Sequence, residues 1–470
     1  MVKRSTANNH DFADLTHIFN PRSVAIIGAS EKPGKVGQVI MQNYMDAGFQ
    51  GALYPVNINA GEKISGYKAY KSVLDIRKEI DLVVIAIPAA GVPNVLEECG
   101  KAKANGAVIV SGGFAEVGAA DLEEKIKQIS KKYKMPFIGP NCLGVMDPRA
   151  RIDTLFLPTY KIERPKIGGV SFVSQSGSVG SSTLDLISAE GFGLSRFISY
   201  GNATVVDEVD ILHFLAKDKN TKVIVYYLEG AKRGREFIEV AKEVTKSKPV
   251  VIIKGGITET GATAAHSHTA SLAGSYESYS AVFRQFGMTE AHELEELIYF
   301  AKIFDTQPLV TGNRVAVITN GGGHGVLATD AIYQNGLTFP QLTKESQKEL
   351  RRRMPPIVNI ALPMDVGGEA DYKRFGDALE VLSTDQNVDA IMMIALFQTP
   401  GADEKLVDAV VNFNNGKKKP LVVVSTGSSY TQSHTKLMES AGVPVYESPS
   451  AAAKALAALI SYSRYREKAV

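Results

Sequence analysis

Four stretches of this sequence carry residue types and spacings that can do chemistry. Ala265-His-Ser-His-Thr-Ala-Ser-Leu-Ala-Gly274 sets two histidines among hydroxyls and small residues. Such histidines have little to pack against, so exposure for proton or group transfer is expected. His266 and His268, at i and i+2, also raise a metal site, but no cysteine or further histidine lies nearby to complete one. Spacing alone does not choose the chemistry. Upstream, Val223-Ile-Val-Tyr-Tyr-Leu-Glu229-Gly230 ends an apolar run in a carboxylate, which either orients and charge-stabilises an imidazole or caps a helix in solvent. Ser174-Gln-Ser-Gly177 closes another run with two hydroxyls and bare amides, suiting an anion or an N-cap serine. Gly28-Ala-Ser-Glu-Lys-Pro-Gly-Lys-Val-Gly37 has the small residues that let a backbone approach a phosphate. A dinucleotide reading fits it poorly. The glycine spacing is not Gly-x-Gly-x-x-Gly, and the next strand ends in Tyr54-Pro-Val-Asn57, with no acid to hold a ribose diol. A nucleotide whose ribose carries phosphate, with Lys35 as counter-ion, fits better; a tight turn without ligand is the alternative.

These stretches punctuate an alternation of short β-rich runs and longer helical patterns. Val24-Ala-Ile-Ile, Leu53-Tyr-Pro-Val, Leu82 to Ile87, Gly106-Ala-Val-Ile-Val and Pro136-Phe-Ile-Gly predict a doubly wound parallel sheet. Ala86-Ile-Pro-Ala-Ala-Gly-Val-Pro93 and Gly139-Pro-Asn-Cys-Leu-Gly144 follow later strands, where ligands of such sheets lie. The proline-bearing stretch from Asp147 to Ile167 has no periodicity and is the expected first boundary. Beyond it, Gly177/Gly322, Gly180/Gly325, Asp185/Asp330 and Gly191/Gly336 keep one register, and Lys248-Pro echoes Lys419-Pro, so two copies of one flavodoxin-like βα plan are expected. The domains then run 1–150, 151–307 and 308–470.

Composition narrows the partners. Four hundred and seventy residues suffice for about three domains. Fifty-two basic against 50 acidic residues, a formal charge of +2, exclude a polyanion or nucleic acid as the main partner and point to small molecules. Cys99 and Cys142 make no disulfide framework. The polar start resembles no signal peptide and no apolar run approaches the length of a membrane span, so a cytoplasmic protein without membrane contact is expected.

Taken together and in order, these motifs resemble the NDP-forming acyl-CoA synthetase superfamily, and most closely the α subunits of its ADP-forming acetate–CoA ligases. The likeness runs from Ile18-Phe-Asn-Pro-Arg-Ser to the last helix, and Ser267-His-Thr-Ala-Ser-Leu-Ala-Gly274 and Leu228-Glu-Gly230 are among its specific parts. It implies a Rossmann-like CoA-binding domain followed by two flavodoxin-like, succinyl-CoA synthetase-like domains. It implies that Gly28, Ser30, Pro33, Lys35, Val56, Asn57, Ile87, Pro88, Asn141 and Cys142 hold coenzyme A, although Cys142 reads equally as a small buried hydrophobe. Ser174, Gln175, Ser176 and Gly177 would bind phosphate, His268 would carry the phosphoryl group, and Glu229 would orient or stabilise its imidazole. The implied reaction interconverts acyl-CoA, ADP and phosphate with a small carboxylic acid, CoA and ATP through acyl phosphate and phosphohistidine. A nucleotide-grasp domain with its carboxylate pair is missing from the sequence, so ADP/ATP and Mg²⁺ are expected on an ATP-grasp β subunit, in an α2β2 assembly. No metal site is expected on this chain. The rival is a non-catalytic CoA- or acyl-CoA-binding regulatory module, against which intact Glu229 and His268 weigh. His266 beside the expected carrier, and His324 where relatives have proline, depart from the pattern. Ser433-His-Thr435 lacks the Ala-Ser-Leu-Ala-Gly continuation and a strand-end Glu in its copy, where Leu396-Phe-Gln stands, so His434 is expected to be a relic or a surface residue.

Overall fold

The computed structural model describes residues 12–263 and 275–469. Three parallel sheets follow one another. In the first domain the strands Ser23–Ile27, Ala52–Val56, Leu82–Ile85, Gly106–Ile109 and Phe137–Ile138 lie in the order second, first, third, fourth, fifth. Ser23–Ile27, Leu82–Ile85 and Gly106–Ile109 are buried along their whole length, because helices cover both faces of a doubly wound sheet. Their sequences are accordingly unbroken apolar runs, not alternating ones. Each large side chain fully withdrawn there contributes about 1.5–3 kcal/mol.

The middle domain repeats the order with Ile167–Ser174, Leu194–Ser199, Val223–Leu228, Val250–Lys254 and Thr289–Ala291; the last domain repeats it with Val315–Thr319, Met364–Asp365, Ala390–Ile394, Leu421–Val424 and Val445–Tyr446. The middle sheet has an addition that periodicity does not mark. Gly144–Asp147 and Ile152–Asp153 form a hairpin that pairs antiparallel to Leu194–Ser199. It spans residue 150, within the stretch expected to be an unpatterned boundary. Asp147 makes the turn by accepting the amides of Arg149 and Ala150, both at 2.9 Å. The same aspartate pairs with buried Arg196, which also meets Asp218 and lies over the rings of Phe19 and Phe214. A strand pairing so short shows no pattern of its own; the ion pair and the edge of the next sheet fix it.

The domains share cores. Leu15, Ile18 and Phe19 from the start of the first domain pack with Ile211, Leu212 and Leu215 of the middle one. Phe300, Ile303 and Phe304 of the helix Leu294–Thr306 pack against Ala452, Leu456 and Tyr462 of the terminal helix Pro449–Ala469. Buried Lys302 ties the middle and last domains by pairing with Glu190 and Glu439. Among the described residues no helix is long and apolar enough to cross a membrane.

Candidate active site

In the first domain the strand order reverses between Ser23–Ile27 and Leu82–Ile85, which places a ligand crevice beyond their carboxyl ends. A cavity of about 740 Å³ lies there. Gly28 makes it possible. Its φ is +88°, and a Cβ on it would stand 2.3 Å from the Ala86 carbonyl oxygen, so only glycine lets the two strand ends approach. Gly28, Ser30, Lys35, Asn57, Ile87 and Pro88 all line the cavity. Asn57 also ties the second strand to the first loop by donating to the Ala29 carbonyl at 2.8 Å. Four expected members do not reach this wall, and two of them, Pro33 and Val56, line neither this cavity nor the smaller one beside it. Pro33 is exposed in the turn, and buried Val56 contributes its carbonyl, which accepts the Gly28 amide at 2.9 Å.

A second cavity of about 240 Å³ lies between the first and middle domains. Val110 and Phe156 line both cavities, so the two meet at these side chains. On one side of the smaller cavity stands the helix Gly177–Ala189, capped by Ser176, whose hydroxyl accepts the Val179 amide at 3.4 Å. Ser176, Gly177 and Ser178 line the cavity, so the positive end of the helix dipole and its unpaired amides face it. Ser174 does not line it: it is fully buried and donates to the Ser176 carbonyl at 2.6 Å, supporting the turn instead of meeting a ligand. Asn141 and Cys142 line this smaller cavity, not the larger one. Burial pushes the Cys142 thiol up to about 12, and it donates to the Ile109 carbonyl at 3.3 Å, so it is present as a neutral, packing side chain.

Glu229 lines the same cavity from the end of Val223–Leu228 and is only 5% exposed. The backbone that carries it is held amide by amide. The Gln175 side-chain oxygen accepts from Glu229 at 2.8 Å and from Gly230 at 3.3 Å; the Tyr279 hydroxyl accepts from Ala231 at 3.1 Å; a Glu208 carboxylate oxygen accepts from Lys232 at 2.8 Å. Buried Lys254 donates to the Glu229 carbonyl at 2.7 Å and to the Gly255 carbonyl. Burial lowers the Lys254 ammonium, with Glu229 opposing the shift; burial and then Glu229 raise the Tyr227 phenol and keep it protonated. Gln175 thus lines the cavity and also holds the loop, and the backbone that carries Glu229 is fixed by side chains from four elements.

Sequence reasoning passed over Val110, Leu143, Phe156, Gly201 and Asn202 of this wall, and Lys254 behind it. Gly201, with φ +55° and a would-be Cβ 2.3 Å from the Asn141 carbonyl oxygen, lets the chain after Leu194–Ser199 press on the Gly139-Pro-Asn turn. A glycine followed by a polar residue at a strand end was the available signal. Phe156, in the aperiodic linker, gave none. His268 and His266 lie outside the described residues. His324 sits half-buried in the first turn of Gly322–Gln334. His434 corrects the surface reading: it is 4% exposed, stacked on Phe397 at 4.7 Å, with Nδ1 2.7 Å from the Tyr430 carbonyl oxygen.

Three family models match successive parts of the chain. Residues 22–148 match a CoA binding domain, 167–304 a succinyl-CoA ligase like flavodoxin domain, and 315–469 a ligase-CoA domain. The chain is 41% identical over 462 residues to the acetate–CoA ligase [ADP-forming] I subunit alpha of Pyrococcus furiosus, covering 97% of this chain and 99% of that one. It is 40% identical to the acetate–CoA ligase [ADP-forming] of Methanocaldococcus jannaschii, of which it spans 64%. A solved structure of the Ca. Korarchaeum cryptofilum dinucleotide forming acetyl-coenzyme A synthetase 1, in complex with phosphate and ADP, superposes with a TM-score of 0.90 at 35% identity, covering 97% of this chain and 98% of that one. With its three domains matched in order and its whole length shared, this chain belongs to the family of the ADP-forming acetate–CoA ligases.

Proposed function

We propose that this chain is the α subunit of an ADP-forming acetyl-CoA synthetase, an acid–thiol ligase working in the cytoplasm that interconverts acyl-CoA, ADP and phosphate with acid, CoA and ATP. The observation that carries the reading is the meeting of the two cavities at Val110 and Phe156. Coenzyme A laid along Gly28, Ser30, Lys35 and Pro88 brings its thioester through that junction to a phosphate held at Ser176 and Gly177. A phosphate oxygen attacks the thioester carbonyl carbon, the C–S bond breaks, and the thiolate takes a proton as it leaves. The helix amides carry the oxyanion charge of the intermediate without needing to reorganise. His268 then attacks the phosphorus of the acyl phosphate, the P–O bond to the acyl group breaks, and the carboxylate departs. Glu229 stabilises the imidazolium so formed. Phospho-His268 passes the group to ADP. The nucleotide and Mg²⁺ belong in this reading to an ATP-grasp β subunit, in an α2β2 assembly, which supplies what the longer single-chain relatives carry beyond the matched 64%.

The test is a labelling experiment. Full-length chain, given acetyl-CoA and labelled inorganic phosphate, is expected to acquire acid-labile, base-stable label, absent in His268→Ala and retained in His266→Ala. Label that persists in His268→Ala refutes the carrier assignment; no label from wild type, with CoA bound, favours a regulatory CoA-binding module.

A further inference from the structure

The smaller cavity has a mixed wall. Asn141, Gln175, Ser176, Ser178, Asn202 and Glu229 bring polar groups to it; Val110, Cys142, Leu143 and Phe156 make its apolar side. No lysine or arginine lines it among the described residues; behind it Asn202 donates to Glu116 at 2.6 Å and to Glu123 at 2.9 Å, and Lys254 gives its ammonium to the carbonyls of Glu229 and Gly255. Lys232, behind Asn202, spends its ammonium on the carbonyls of Asn202 and Ala203. A second carboxylate on the substrate would find no counter-ion on this wall, at a cost its other contacts would have to offset. The space is also small. Some 240 Å³ must hold phosphate beside the acyl group.

Resting on the reading of this site as the place of thioester phosphorolysis, we propose that its apolar side is the acyl pocket, that it selects short monocarboxylic acids with uncharged aliphatic tails, and that Phe156 sets the size limit. Phe156 is placed for that task. It is half-buried, packs against both the core shared by the first and middle domains and the core shared by the middle and last, and stands where the two cavities meet. Its ring therefore closes the acyl pocket at the point where the thioester enters. Truncating it extends the pocket toward the larger cavity without touching the helix amides or Glu229. The Cys142 thiol, neutral and turned to Ile109, lines the pocket as a small apolar group.

CoA release from acetyl-, isobutyryl-, phenylacetyl- and succinyl-CoA in phosphate, by the full chain with its partner subunit, tests this. Wild type is expected to prefer acetyl-CoA and to leave phenylacetyl- and succinyl-CoA largely unused. Phe156→Ala is expected to raise the ratio of kcat/KM for isobutyryl- over acetyl-CoA by about tenfold or more, the range that one or two methylenes command in a fitted pocket, while succinyl-CoA stays poor. Phe156→Leu, which keeps the side chain apolar and large, should give an intermediate ratio and guards against misfolding of the alanine variant. Efficient use of succinyl- or phenylacetyl-CoA by wild type, or an unchanged ratio in both variants that still turn over acetyl-CoA, overturns the proposal. Absence of CoA release from every thioester in wild type overturns the reading of the site and this inference with it.

Discussion

The middle and last domains are one scaffold used twice, and the copies place charge at different strand ends: Lys254 at one end and Glu229 just past another in the middle domain, Asp365 in the last. Gln175 accepts the amide of Glu229; its counterpart Asn320 accepts the amide of Leu396 at 2.9 Å. Lys248 caps the helix Glu208–Lys217 by donating to the carbonyls of Leu215 and Asp218, as Lys419 caps Tyr372–Thr384 through Leu382 and Val388. Gly201 and Gly367, both at positive φ, end the second strand of each sheet. Asp207 and Asp371 cap equivalent helices. The shared positions are those that close turns and satisfy helix ends, the demands of the fold. The differing positions lie at the crevice or just behind it. Glu229 is replaced by Leu396, Lys254 by Ser425, and buried Glu208 by Tyr372, which is 42% exposed. In the last domain the position after Ser433 is filled by His434, packed under Phe397, so its imidazole is a core side chain.

Substitutions that trade one copy's residue for the other's put this contrast to the test. Glu229→Leu gives the middle domain the last domain's residue and is expected to slow acetyl-CoA-dependent phosphoryl labelling by about 10²- to 10⁴-fold, with circular dichroism unchanged; Leu396→Glu should confer no labelling on a His268→Ala chain. A Glu229→Leu chain that labels at the wild-type rate would erase the distinction. The next effect is pH-dependent. Burial, then Asp207, raises the Glu208 carboxyl from 4.5 to about 7. Its contribution to stability is therefore whole below pH 4.5 and lost as pH rises through about 7, where the folded state must hold an anion that the unfolded chain leaves in water. Glu208→Gln should flatten that fall by on the order of 2 kcal/mol between about pH 5 and about pH 8, read from thermal midpoints. Equal slopes in variant and wild type would return Glu208 to an ordinary carboxylate. The smallest effect belongs to what the copies share: Lys248→Met and Lys419→Met should each cost about 1–2 kcal/mol in thermal unfolding. A loss at one site alone would show that the two caps are not equivalent.

Much of this was legible in the chain because strands and turns are local. Apolar runs bounded by glycine and proline marked the parallel strands, and the constant register of Gly177/Gly322 and Gly180/Gly325 marked the duplicated scaffold. Gly28, Lys35, Asn57, Ser176, Gly177 and Glu229 line the two cavities beyond the strand ends. Ser174 and Val56 were misplaced by one step of the same logic: next to a functional turn, a residue either faces the crevice or supports it, and spacing does not separate the two. The hairpin Gly144–Asp147 and Ile152–Asp153 escaped because its partners lie some fifty residues away on Leu194–Ser199.

The sequence by itself determined the α/β class, the three units, the repeat and the residue types at the strand ends, since each follows from periodicity and turn chemistry within a few neighbours. Tertiary structure alone decided that the two cavities meet, that Phe156 and Val110 stand at their junction, and that Gln175, Tyr279, Glu208 and Lys254 converge on the loop of Glu229. Those residues come from separate strands and helices of packed domains. Their meeting is a property of how sheets stack and share cores, which no local pattern encodes.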